Sequence, residues 1–201
     1  MKTALEQNAA FEAIHRIYGL PGGFVEDHPC RKVHNIYFDT MALKNYWDHV
    51  DGVYSRSKYR FRWYGDFLET QVQGYFEIKR KIGNLSTKRR SDLVNLNLTE
   101  GIAFPSDMLL QPILYNSFLR YYFVNFEKSI RMTVDEQLTF DYLPCGFFSI
   151  PNKPPAGPSA VIEIKTSLQP EDIQLAQVIE RIPRLQKFSK YIFGVAELKL
   201  V

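Results

Sequence analysis

Arg60 and Arg62 stand two residues apart in the run Tyr59-Arg60-Phe61-Arg62-Trp63-Tyr64. On a strand that spacing puts both guanidinium groups on one face and Tyr59, Phe61 and Trp63 on the other. Phe76-Glu77-Ile78-Lys79 repeats the arrangement with a carboxylate and an ammonium. So do Arg131, Thr133 and Asp135 against Ile130, Met132 and Val134, then Ile162-Glu163-Ile164-Lys165, then Glu197-Leu198-Lys199-Leu200. Paired guanidinium groups fit phosphate oxygens through their planar fork. Interleaved carboxylates cannot hold phosphate, but they can hold a hard divalent cation that bridges to it. Cations for phosphate with one or two carboxylates for metal make a set suited to phosphoryl transfer. The same alternation also fits an antiparallel sheet with one face on the core and one in water.

The charge is local. The chain has 201 residues and a formal net charge of +3. Residues 56–90 alone hold ten basic and three acidic residues, a surplus of seven, so the remainder is net negative. Such a segment predicts a local anionic partner: nucleic acid, a phosphorylated small molecule or an anionic membrane surface. A solvated basic hairpin has the same composition. Nucleic acid is the weakest of these readings, because the aromatic residues beside Arg60 and Arg62 lie on the opposite face and cannot stack bases next to them. No run reaches the ~18 apolar residues of a membrane span, and no secretory signal is evident at the start. Cys30 and Cys145 are too few for a disulfide framework or a zinc site, and the four histidines lack metal-ligand spacing.

These side chains need strands to carry them. A helix is expected over Thr3–Tyr18, ended by the Gly19–Gly23 segment, then a strand over Lys32–Phe38 and a short helix over Met41–Trp47 capped by Asp39 or Thr40. Strands are expected over Val53–Tyr64, Tyr75–Lys81 and Thr87–Leu93, a helix over Asp107–Leu119, and strands over Arg120–Phe126 and Ser129–Phe140. A proline-rich loop at Pro151–Pro158 precedes a strand over Ala160–Lys165, a helix over Pro170–Ile182 and a closing strand over Tyr191–Val201. The pattern predicts a single α+β domain over residues 1–201, dominated by antiparallel strands. If those strands curl into a barrel with the ionic faces inward, the cations repel one another unless a polyanion compensates them.

Several motifs, in order, resemble the catalytic domain of the vacuolar transporter chaperone (VTC), a branch of the CYTH-like triphosphate tunnel metalloenzymes. They are Asn35-Ile36-Tyr37-Phe38-Asp39-Thr40, Tyr59–Gly65, Phe76–Lys81 with Thr87–Arg90, Arg131–Asp135, Ile162–Lys165 and Lys187-Phe188-Ser189-Lys190-Tyr191. The resemblance covers the chain from about Asn35 onward. It implies an antiparallel β-barrel, the triphosphate tunnel, with a charged lumen and flanking helices. It also implies a polyphosphate polymerase that moves the γ-phosphoryl group of ATP to a polyphosphate chain with Mn²⁺ or Mg²⁺. On that resemblance Arg60, Arg62, Lys79, Arg120 and Arg131 contact the triphosphate, and Lys88 or Arg90 extends the lining. Glu163 is the metal ligand, and Lys187, Ser189 and Lys190 contact phosphate where the chain grows. Arg60, Arg62 and Lys190 are the residues expected to act in catalysis.

One departure stands out: the family opens with a strand before its first helix, and only Met1–Ala4 precede the helix expected here. The first strand is therefore expected to be missing, as in a shortened form of a longer protein. That leaves two alternatives beside the polymerase, a non-catalytic polyphosphate- or triphosphate-binding module and an inorganic triphosphatase. The protein is expected to act in the cytoplasm as a stand-alone unit, with ATP or triphosphate and polyphosphate as partners and no nucleic acid.

Overall fold

Alternation places the elements well where one face of a strand is wet. In β3 (Ser55–Tyr64), Phe61 and Trp63 are buried, and in β4 (Gln71–Ile82) Val72 is buried between exposed neighbours while Phe76 lies beside the buried Glu77. The computed structural model describes residues 2–5, 9–65, 70–143 and 158–200, and side chains from residue 10 onward. The remaining elements are β1 (Lys2–Leu5), α1 (Ala9–Tyr18), β2 (Phe24–Asp39), α2 (Lys44–Val50), β5 (Leu85–Arg90), β6 (Val94–Asn97) and β7 (Gln111–Asn125). They continue with β8 (Ile130–Tyr142), β9 (Ala160–Thr166), α3 (Ile173–Glu180) and α4 (Lys190–Glu197). The fold is α+β with antiparallel pairing.

The chain divides into two compact units, and β2, β7 and β8 each give one stretch to either. The first unit comprises residues 1–31, 118–138 and 155–188. In it β1 pairs with β9 and β9 with β8, with Glu163 opposite Thr133 and Arg131 opposite Lys165. Its core joins Ile17, Phe123, Ile130, Met132, Ile162 and Val178, drawn from α1, α3 and the strands. Asn125 closes the β7–β8 turn: its side-chain oxygen accepts from the Ile130 amide at 2.8 Å.

The second unit comprises residues 32–117, 139–154 and 189–201. Here β2 pairs with β3, β3 with β4, and β4 with both β5 and β6. Its core is built on Ile36, Phe38, Phe61, Trp63, Phe76 and Tyr115. The aromatic residues alternating with the arginines are thus the apolar floor on which the cationic face stands. Helices α2 and α4 are tied together by one buried carboxylate, Asp39. It accepts from the Asn45 amide (2.9 Å), the Asn45 side chain (2.8 Å), the Tyr46 amide (2.9 Å) and the Tyr191 hydroxyl (2.5 Å). Thr40 accepts from the Lys44 amide at 3.0 Å, so both expected capping residues act, although α2 begins three residues later than expected.

Four expectations are corrected. A strand, β1, precedes the first helix and pairs with β9, so the strand expected to be absent is present and α1 starts only at Ala9. The helix expected over Asp107–Leu119 is the first half of β7. From Pro112 to Phe118 every residue is buried, so no alternation marked the strand, and a continuous apolar run does not distinguish strand from helix. Pro112 is the second residue of that strand, where a missing amide donor is tolerated. The closing strand over Tyr191–Val201 is instead α4, which buries Tyr191, Gly194 and Val195 at helical spacing. Its cap is Ser189, whose hydroxyl accepts from the Ile192 amide. The alternation at Glu197–Leu200 therefore belongs to no sheet. The expected helix over Pro170–Ile182 shortens to α3 because Asp172 caps it, accepting from the Gln174 and Leu175 amides. The proline-rich segment lies outside the described residues, apart from Pro158.

Helix α4 lies close against its sheet at Gly194, where an added Cβ would stand 2.5 Å from Phe140 and 2.7 Å from Leu114. Gly194→Ala should therefore lower stability by about 1–3 kcal/mol through overpacking. The measurement is the urea midpoint at unchanged slope; a stabilised protein would mean that the helix moves away without cost.

Candidate phosphate-binding face

In the second unit the register lays the ionic side chains out in rows across β3, β4 and β5. Arg62 lies opposite Tyr75; Arg60, Glu77 and Arg90 form the next row. Lys58, Lys79 and Lys88 follow, then Arg56, Lys81 and Ser86. Directly opposed side chains share a face. Glu77 is the one carboxylate in these three strands.

Glu77 lies at the centre of the face and its side chain is only 4% exposed. Arg60 donates to its Oε2 at 2.6 Å, Lys88 pairs with Oε1, and Arg62 lies 4.0 Å away. Burial by itself raises a carboxyl pKa, but here the charges of Arg60, Arg62 and Lys88 prevail and hold Glu77 at about 2. Lys88 moves down, through burial first and the neighbouring arginines next, against the pull of Glu77. Arg60 is penalised by burial, yet Tyr37 and Glu77 raise it overall.

Arg62 is the most buried cation of β3, β4 and β5 and is fixed by a relay of amides. Its Nε donates to Asn35 Oδ1 at 2.7 Å, Asn35 donates to Asn116 at 3.2 Å, and Asn116 donates to the Thr139 carbonyl at 3.0 Å. Arg90 lies over the Tyr75 ring at 4.4 Å. Near the Lys58 row stands the start of α4, where Lys58 donates to Ser189 Oγ at 2.7 Å. Tyr191 stacks on Tyr37 with centroids 5.1 Å apart, and Lys190 is buried at the first helical position. Arg60, Arg62, Lys79, Lys88, Arg90, Ser189 and Lys190 therefore all belong to this unit.

The first unit holds a second ionic group. Arg120 grips Asp135 with two hydrogen bonds, at 2.5 and 2.7 Å, and reaches Glu163 at 3.9 Å. Burial disfavours its charge, but Asp135 and Glu163 more than offset that and raise its pKa. Glu163 also lies 3.8 Å from Lys165. Across the β8–β9 pairing, Thr133 Oγ1 is buried without a hydrogen-bond partner. Arg131 is exposed on β8 opposite Lys165, and Lys187 is exposed in the segment after α3. Arg120 and Glu163 are thus brought together, whereas Arg131 and Lys187 are not drawn into their contacts.

Asp135, Asn35, Asn116 and Lys58 were not expected among the site residues, and Glu77 was read only as sharing a face with Lys79. For Lys58 and Glu77 the signal was the alternation itself, since Lys58 continues the Arg60–Arg62 spacing and Glu77 the Lys79 one; Asn35 and Asn116 lie in continuously buried stretches that carry no such signal. Which strand lay beside which was needed to see that Glu77 falls between Arg60 and Arg90.

Because Glu77 is depressed from 4.5 to about 2, its contribution to stability is fully present above pH 4.5 and is lost as pH falls through 2. Urea midpoints of Glu77→Gln should accordingly lie below those of the parent chain at neutral pH, and the two should converge toward pH 2. A constant gap across that range would mean that the carboxylate carries no such linkage.

Compared with curated proteins, the chain finds no match. The VTC domain family matches it in two overlapping stretches, residues 6–103 and 95–199. No described helix is long and apolar enough to cross a membrane. Since the match spans nearly all of a chain whose strands carry this cationic face, the chain belongs to the VTC domain family, the polyphosphate polymerase branch of the CYTH-like, triphosphate tunnel superfamily.

Proposed function

We propose that the chain is a polyphosphate polymerase, transferring the γ-phosphoryl group of ATP to the end of a polyphosphate chain. The observation that carries this reading is the convergence of Arg60, Arg62 and Lys88 on Glu77. Two guanidinium groups and an ammonium already meet at one buried anionic position, in the form a phosphate group requires. Arg60 and Arg62 orient the triphosphate and stabilise the charge that builds up on its oxygens during transfer. Lys79 and Arg90 extend the positive field along it. A terminal oxygen of the acceptor attacks the γ-phosphorus, the bond to the β–γ bridging oxygen breaks, and ADP leaves with that electron pair. The acceptor oxygen is already ionised, so no protein nucleophile takes part. Both reactants are polyanions, and the cations reduce the repulsion that otherwise keeps them apart. Lys190, whose side chain is held at the α4 N-terminus, and Ser189 act at the growing end. For Arg120, Arg131 and Lys187, which belong to the first unit, a phosphate role rests on the family match alone.

Glu163 fits the role of metal ligand better than Asp135. Glu163 lies 3.9 Å from Arg120 and 3.8 Å from Lys165, whereas Asp135 is gripped by Arg120 on both oxygens at 2.5 and 2.7 Å. Among the described residues no three His, Cys, Asp or Glu side chains gather. This matches a cation such as Mg²⁺ or Mn²⁺, which takes one or two carboxylates and completes its shell with phosphate and water oxygens. Glu163 would hold such a cation, which would supply positive charge to offset that of the phosphate oxygens.

Purified protein given ATP and Mn²⁺ should make long-chain polyphosphate, resolved on a gel. Glu163→Gln should reduce the rate by about 100-fold or more, while tripolyphosphate binding measured without metal changes little. Arg60→Gln should weaken tripolyphosphate binding by about tenfold or more. Tight binding without turnover would assign the chain instead to a non-catalytic polyphosphate-binding module, and release of orthophosphate without polymer would assign it to an inorganic triphosphatase.

A further inference from the structure

At the turn between β4 and β5 the second unit ends in apolar side chains. Ile82 lies opposite Leu85 across the turn and opposite Ser55 on β3. Tyr54 precedes Ser55 and packs on the same turn: an added Cβ at Gly83 would stand 2.8 Å from its ring, and the Gly83 amide donates to the Tyr54 carbonyl at 2.9 Å. Leu85 is 76% exposed and Tyr54 71%, and Ile82 is exposed beside them. Apolar side chains exposed singly are ordinary, but a contiguous group marks an interaction site. Immediately behind this tip come cations that the phosphate site does not use. Arg56 opposes Lys81 one residue step back, and Arg80 lies two steps back, opposite Ser57 and Thr87. Those rows stand about 3 and 7 Å from the apolar one. Arg56 donates to the Val53 carbonyl at 2.6 Å and Arg80 to the Ser55 hydroxyl at 3.5 Å, which keeps both guanidinium groups beside the tip. Residues 50–57 and 80–87 hold Arg56, Arg80 and Lys81 against the single acid Asp51.

We propose that this end of the second unit docks on an anionic lipid bilayer. Tyr54, Ile82 and Leu85 enter the boundary between headgroups and acyl chains, and Arg56, Arg80 and Lys81 lie level with the lipid phosphates. An apolar row with cations one and two steps behind it matches the order in which a bilayer presents its acyl region and its charge. The tyrosine suits that depth, because its ring is apolar and its hydroxyl stays wet. The bond between Gly83 and Tyr54 already satisfies one donor and one acceptor of the turn, which lowers the cost of taking it out of water. A soluble polyanion could meet the three cations, but it would give Leu85 and Tyr54 nothing apolar to bury against; a bilayer engages both sets. The inference goes beyond the polymerase reading and does not depend on it.

The test is co-sedimentation of the full chain, without nucleotide, with vesicles of phosphatidylcholine alone or with about one third phosphatidylserine. The parent chain should sediment with the anionic vesicles, less so as salt rises, and stay in solution with the neutral ones. Tyr54→Ser/Leu85→Ser removes apolar surface at constant charge and should weaken vesicle binding by about tenfold or more. Leu85→Ser alone, at the most exposed position of the tip, should lower it in the same direction and serves if the double variant folds poorly. Arg56→Gln/Lys81→Gln should lose about tenfold or more on the anionic vesicles. The apolar variant should keep its tripolyphosphate affinity within about twofold, which separates the tip from the phosphate site. Vesicle binding unchanged by the apolar substitutions would overturn the proposal, since charge alone would then account for it. Equal binding to neutral vesicles, or none to either kind, would overturn it too. Self-association of the chain that the apolar substitutions abolish, with no vesicle binding, would make the tip a contact between copies instead.

Discussion

The second unit depends on one electrostatic constraint: a cationic face this dense must carry its own counter-charge. Glu77 supplies it. With its side chain nearly inaccessible and three cations around it, the carboxylate offsets part of the repulsion that Arg60, Arg62 and Lys88 exert on one another. It does so incompletely, since it is the only acid in three strands. The residual positive charge is the feature on which the proposed phosphate binding rests. The pairing holds the guanidinium groups convergent and leaves the face under-neutralised.

Polar support is arranged around that centre in a graded way. At the buried end, where an unsatisfied donor is most costly, Arg62 is secured by the Asn35–Asn116 relay. Towards the exposed end, support passes to longer and more mobile side chains, such as Lys58 donating to Ser189. Asp39 does for the helices what Glu77 does for the strands. Through Asn45, Tyr46 and Tyr191 it holds α2 and α4 by one buried carboxylate, and so fixes the backbone that presents Ser189 and Lys190.

The first unit solves the same problem differently. Asp135 takes both branches of the Arg120 guanidinium, so that pair is nearly self-contained. Glu163 is left with longer contacts to Arg120 and Lys165 and with Thr133 as its neighbour across the strand pair. Of two carboxylates beside one arginine, Asp135 takes the bidentate grip and Glu163 the longer contact.

Much of this was legible in the residues alone. Strict alternation at Tyr59–Tyr64 and Ile162–Lys165 identified the strands and sorted cations from aromatic side chains, because the period of a strand depends only on local backbone geometry. The family motifs point to Arg60, Arg62 and Glu163, which lie on strands whose alternation is local. Where burial was two-sided or local, the reading failed. The buried run of β7 carried no period, and the alternation of Glu197–Leu200 was outweighed by the Ser189 cap and the burial of Tyr191 and Val195 in α4. The short β1 had no pattern of its own and exists because β9 offers it an edge. Strand register was likewise decided only in three dimensions. A one-residue slip of β4 would turn its apolar set to the ionic face, so burial excludes it, whereas a two-residue slip keeps the faces yet takes Glu77 away from Arg60, and only turns and packing decide against it.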